Sequence, residues 1–122
     1  MEIAEYHAIV DDAVATLPDD VREAMKDVII VVDDTPPPQR RGFLLGLYEG
    51  VPVTAWGRDS MNAKPPDKIS LFRQSIEMVA RTPEEIPHIV RETLWHEIAH
   101  FLGFDHDRIH VMEERWRQKR RT

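Results

Sequence analysis

Residues 82–106 read TPEEIPHIVRETLWHEIAHFLGFDH. Thr82 can cap a helix, Pro83 suits the first helical position, where no N–H is needed, and Glu85 stands third, so three helix-start signals coincide. Gly103 can adopt the left-handed conformation that ends a helix. The spacing therefore predicts a helix from residue 83 to Leu102. Within it, Val90, Leu94, Ile98 and Phe101 form an apolar stripe, and at about 100° per residue His96 and His100 point about 150° away from it. The stripe should face the core and the histidine pair a cleft.

Histidines at i and i+4 lie one turn apart on one face, so the imidazoles of His96 and His100 can reach a single ion. Glu97, beside the first histidine, can then contact a water bound to that ion. A helix that simply continued would carry His106 down the axis. A glycine turn at Gly103 lets the chain fold back and present a third imidazole. Three protein ligands with an open fourth position describe catalytic zinc, so one Zn2+ per chain is expected on His96, His100 and His106. Asp105, Asp107, His110, Glu113 and Glu114 are competing ligands, because carboxylates also bind zinc. The five-residue pattern alone arises by chance in a few per cent of such chains; the added glycine and third histidine lower that to roughly one in ten thousand, which makes the extended motif specific.

Working outward, residues 2–17 carry Ile3, Tyr6, Ile9, Val10, Ala13, Val14 and Leu17 at helical spacing, with Pro18-Asp19-Asp20 as a stop and a sheet as the surface to cover. Val28–Val32 reads as a strand buried on both faces, hence central. Residues 33–41, with Pro36-Pro37-Pro38, form a loop. A second strand is expected over 42–48, a turn at 49–52 and an extended segment over 53–56, followed by a polar stretch over 57–67. Lys68–Phe72 reads as a short edge strand and 74–81 as a weak helix. Ile109, Met112 and Trp116 share one face of a last helix and pack as core.

Composition limits the alternatives. The 122 residues contain no cysteine, which excludes disulfides, thiolate nucleophiles, Cys-type zinc fingers and iron–sulfur clusters. With 42% hydrophobic and 31% charged residues, the chain is of ordinary globular composition and suits one domain over 1–122. Net charge is −6, but a basic C-terminal tail at 115–122 holds five positive charges, leaving the first 114 residues at −11. That body repels phosphate backbones, so no nucleic-acid partner is expected. No apolar run reaches the roughly 20 residues of a membrane span, and no signal peptide is evident, which predicts a cytoplasmic protein without a membrane partner. No nucleophile elbow, P-loop or dinucleotide fingerprint is present.

HEIAHFLGFDH at 96–106 matches the extended motif of the metzincin clan, and the chain resembles the small bacterial zincin-like metallopeptidases described as minimal zincins. LLGLYEGVP at 44–52, ISLFRQSIE at 69–77 and the helix entering the histidines extend the likeness over most of residues 1–110. The resemblance implies an α+β fold in which an N-terminal helix and a small mixed sheet pack on the motif helix. It also implies His96, His100 and His106 as metal ligands and Glu97 as the catalytic carboxylate. One departure is the methionine turn of metzincins: here only Met112 follows, six residues after His106 in a segment that reads helical.

The expected activity is zinc-dependent hydrolysis of a peptide or protein substrate, with Glu97 as general base toward a metal-activated water. Tyr48, Arg73 and His110 are candidate oxyanion donors. Glu92, Asp105 and Asp107 are candidate partners that orient the ligand histidines. Strand Lys68–Phe72 is a candidate for aligning an extended peptide by strand addition. Two alternatives stay open: a catalytically silent zinc-binding interaction domain, and a regulatory protease with one specific protein target. No oligomeric state is implied.

Overall fold

The structure, a computed structural model, describes residues 1–38, 43–50, 67–104 and 114. Helix α1 spans Ile3–Ala15 and buries Tyr6, Val10 and Ala13, the inner face expected from its spacing. Pro18-Asp19-Asp20 does end that helix, but it also opens α2 (Asp19–Ala24), which the sequence reading does not contain. The reason is local: Pro18 is extended (φ −55°, ψ 149°), and the two aspartates occupy the first turn, where the helix dipole favours negative charge.

Strands β1 (Ile29–Asp33), β2 (Gly46–Glu49) and β3 (Lys68–Phe72) form a mixed sheet in the order β1-β3-β2, with β1 parallel and β2 antiparallel to β3. Two expectations are thereby reversed. Among the described residues β1 lies at an edge, and Ile29 is 54% exposed, whereas β3 is the central strand with Ile69 through Phe72 all buried. Ser70 makes β3 look half-solvated in sequence, yet it is buried between two strands. A short β-branched run does not reveal which strand will have two neighbours; pairing decides that.

Helix α3 (Arg73–Val79) follows β3 directly, one residue earlier and two shorter at its end than expected. The long helix appears as a 3-10 turn, Pro83–Glu85, running into α4, Ile86–Phe101. Thr82 makes no side-chain cap; instead the Arg81 N–H donates to Glu85 Oε2 at 2.9 Å. At the other end Gly103 takes φ +86° as predicted. Its N–H donates to the His100 carbonyl, and the Phe104 N–H to that of Ala99, the paired bonds of a Schellman ending.

The stripe Val90, Leu94, Ile98 and Phe101 is at most 1% exposed, and α4 packs through it on α1, β2 and β3. Burial of each such side chain contributes about 1.5–3 kcal/mol. The motif helix is thus clamped on its apolar side, which leaves the opposite face to carry chemistry. The α+β architecture expected from the sequence is the one observed. The extended segment expected at 53–56, the basic tail at 115–122 and the last helix around Ile109, Met112 and Trp116 lie outside the described residues, apart from the helical, exposed Glu114. No helix among the described residues is long and apolar enough to cross a membrane.

Candidate metal centre

Helix α4 sets His96 and His100 one turn apart, both partly buried, with ring centroids 4.8 Å apart and planes inclined by 69°. Their Nε2 atoms approach to 3.1 Å. Two nitrogens each about 2.0–2.1 Å from one tetrahedral zinc lie about 3.3 Å apart, so this pair fits a shared ion with little adjustment. The donor set also fits, since neutral imidazole is a good zinc ligand. Among the described residues no third ligating side chain converges on the pair. His106 lies outside the described residues, as do the competitors Asp105, Asp107, His110 and Glu113.

Glu97 is turned toward β2 and is 8% exposed. Its Oε1 accepts the backbone N–H of Tyr48 at 3.0 Å. The strand register explains how a main-chain donor becomes available there. The Phe72 N–H donates to the Leu45 carbonyl, and Gly46 and Tyr48 stand opposite Leu71 and Ile69. Antiparallel alternation then directs the backbone groups of Gly46 and Tyr48 away from β3, toward α4. Burial pushes the Glu97 carboxyl above its ordinary pKa; the His96 charge and the Tyr48 N–H pull it back without cancelling the rise.

Tyr48 is itself anchored. Its hydroxyl donates to Asp67 Oδ1 at 2.6 Å, and its ring meets Phe101 edge-on at 5.9 Å. Burial, followed by the Asp67 contact, raises the Tyr48 pKa. Gly50, at φ +151°, is required beside this pair, because a Cβ there would run into Asp67 Oδ1. Sequence reasoning misses Asp67, which closes the polar stretch 57–67 without any motif around it. The Tyr48 hydroxyl, offered by the sequence as an oxyanion donor, is engaged by Asp67, and the contact of the Tyr48 backbone with Glu97 is one that sequence reasoning does not contain.

Arg73, another candidate donor, binds Asp34 through Nε and Nη2 and the Met1 carbonyl through Nη1, an engagement away from the histidine pair. Glu92 lines the same cleft as His96 and Glu97 and pairs with His88 at 3.1 Å. Strand addition on β3 is excluded by its central position, since β1 and β2 occupy both of its edges. The edge that faces the histidine helix belongs to β2.

A small mixed sheet whose edge strand runs beside a helix carrying His-Glu-x-x-His, with the glutamate held by that strand, defines a zincin-like α+β protein. The chain belongs to the zincin-like metallopeptidase family, whose family model matches residues 25–116. Among solved structures, a conserved hypothetical protein from T. thermophilus is similar in fold, with a TM-score of 0.56 at 24% identity over 83% of this chain and 94% of the other. No curated protein matches the chain.

Proposed function

We propose that the protein is a zinc-dependent peptidase in which Glu97 is the general base. The observation that carries this reading is the buried Glu97 carboxylate, held by the Tyr48 N–H beside two imidazole nitrogens 3.1 Å apart. His96 and His100 would hold the metal, with His106 as the proposed third ligand. Zinc, when bound, supplies a water of lowered pKa and a positive charge that polarises the scissile carbonyl.

Glu97 accepts the proton of the attacking water and later passes it to the leaving amine. The Tyr48 N–H keeps Oε1 in place, which leaves Oε2 for the proton. The edge of β2 that faces the cleft, at Gly46, carries an N–H and a carbonyl not used by β3, along which an extended peptide can align as an added strand. That role passes to β2 from Lys68–Phe72.

The test compares proteomes of cells producing the parent protein, the Glu97→Gln variant or neither, alongside zinc content of both purified proteins. Fragments that appear only with the parent, while the variant keeps its zinc, are the expected result. Identical fragment patterns for parent and variant would overturn the assignment of Glu97, and a single clipped target would mark a narrow regulatory protease.

A further inference from the structure

Two residues of α4 one turn apart, Glu97 and Phe101, both meet Tyr48. The Tyr48 N–H donates to Glu97 Oε1 at 3.0 Å, and the Tyr48 ring stands edge-on to Phe101 at 5.9 Å. One residue of β2 therefore holds the carboxylate with its backbone and the next turn of the helix with its side chain. How precisely the N–H is placed depends on how firmly the ring is held. The hydroxyl at the far end of that ring donates to Asp67 Oδ1 at 2.6 Å.

Asp67 is built to hold it. The residue is 5% exposed, so its carboxylate is withdrawn from water and depends on hydrogen bonds. Its main chain is fixed as well: the carbonyl accepts the Ile29 N–H at 3.0 Å, at the start of β1, and β3 begins at the next residue. Asp67 thus links β1 to β2 across the end of the central strand. Gly50 leaves room for this pair, since a Cβ there would collide with Asp67 Oδ1 and lie 2.8 Å from the Tyr48 hydroxyl. Apolar groups of the same shape would serve packing about as well as a buried tyrosine–aspartate bond, so what the polar pair adds is direction. We propose that Asp67 is a positioning residue for Glu97: by holding the Tyr48 hydroxyl it sets the place of the Tyr48 N–H, and through it the orientation of the carboxylate. The effect on turnover rests on the peptidase reading above, whereas the effect on the hydrogen bond does not.

Amide hydrogen exchange, followed by NMR on the isotope-labelled, zinc-loaded full chain, tests the proposal. Asp67→Ala should accelerate exchange at the Tyr48 amide about tenfold, the order expected when a hydrogen bond to a charged group is lost. Glu97→Ala, which removes the acceptor itself, gives the rate for full release. The Ile29 and Phe72 amides, which donate to the carbonyls of Asp67 and Leu45, should keep their parental rates. Asp67→Asn still accepts from the hydroxyl and should recover most of the protection. Tyr48→Phe keeps the ring on Phe101 and loses only the hydroxyl; it should accelerate exchange at position 48 as Asp67→Ala does, and it decides the matter if the latter fails to fold. An unchanged amide at position 48, equal acceleration at Ile29 and Phe72, or no recovery in Asp67→Asn would overturn the proposal. In cells, fragments that appear only with the parent should fall severalfold with Asp67→Ala and return with Asp67→Asn, while both variants keep their zinc. Absence of such fragments from the parent, with the exchange pattern as expected, would count against the peptidase reading alone. Parental fragment yield from Asp67→Ala, with the Tyr48 amide unchanged, would count against Asp67 alone.

Discussion

Gly46→Ala should destabilise the protein through a contact that the fold permits only to glycine. A Cβ at this buried position would lie 2.7 Å from Thr93 Cγ2 and 3.0 Å from the Ser70 carbonyl oxygen. Carbon atoms pack comfortably at about 3.5–4.0 Å, so the first contact overlaps by roughly 1 Å. Thr93 is β-branched on a helix interior and cannot rotate its methyl away freely. The strain must therefore move β2 away from α4. Overpacking of this kind costs about 1–3 kcal/mol, against about 0.4–1 kcal/mol regained from the less flexible unfolded chain, which leaves a net loss of about 1–2 kcal/mol. Urea unfolding followed by circular dichroism measures it. Thr93→Ser removes the clashing methyl, so the double variant should recover at least about 0.5 kcal/mol relative to the sum of the two single changes. A Gly46→Ala protein as stable as the parent, or strict additivity in the double variant, would refute the reasoning. Because β2 also carries the Tyr48 N–H, Gly46→Ala should lower turnover more than its stability loss explains.

Three other outcomes follow from the same geometry. Tyr6 is fully buried, and its hydroxyl has no hydrogen-bond partner among the described residues, so Tyr6→Phe should raise stability by about 1 kcal/mol in urea unfolding; a loss of that size would mean the hydroxyl is satisfied. Burial, reinforced by Glu77 and opposed by Arg73, pushes the Tyr6 pKa to about 12, whereas an unfolded tyrosine ionises near 10. Its contribution is therefore complete below pH 10 and lost as pH rises toward 12, by at most about 1.4 kcal/mol per pH unit, and Tyr6→Phe should flatten part of that decline while Tyr48 maintains the rest. Gly103→Ala should cost about 1 kcal/mol because φ is +86°, with Gly103→Asn milder; equal stability of all three proteins in thermal unfolding would contradict the left-handed ending.

The legible parts of this protein are those in which one local rule acts alone. The apolar stripe from Val90 to Phe101, the glycine stop at Gly103 and the i, i+4 histidines each follow from helical periodicity, and all three stand where expected. Strand order is not legible, because Val28–Val32 and Lys68–Phe72 are both short runs whose place in the sheet depends on partners far along the chain. Their expected roles are consequently interchanged. The hold on Glu97 is hidden for a related reason: the donor is a backbone N–H, which every non-proline residue has, and only the register of β2 selects Tyr48. Asp67 is invisible because it acts on a side chain 19 residues away in sequence. The α2 helix escapes a reading in which one signal, Pro18-Asp19-Asp20, serves both as an end and as a beginning.

Zinc content per chain, measured by elemental analysis after exhaustive dialysis, tests the central claim most directly when the parent is compared with His96→Ala/His100→Ala and with His106→Ala. The account predicts about one zinc in the parent, none in the double variant and a large loss in His106→Ala. A double variant that retains as much zinc as the parent, or a parent that binds none after reconstitution, would contradict it.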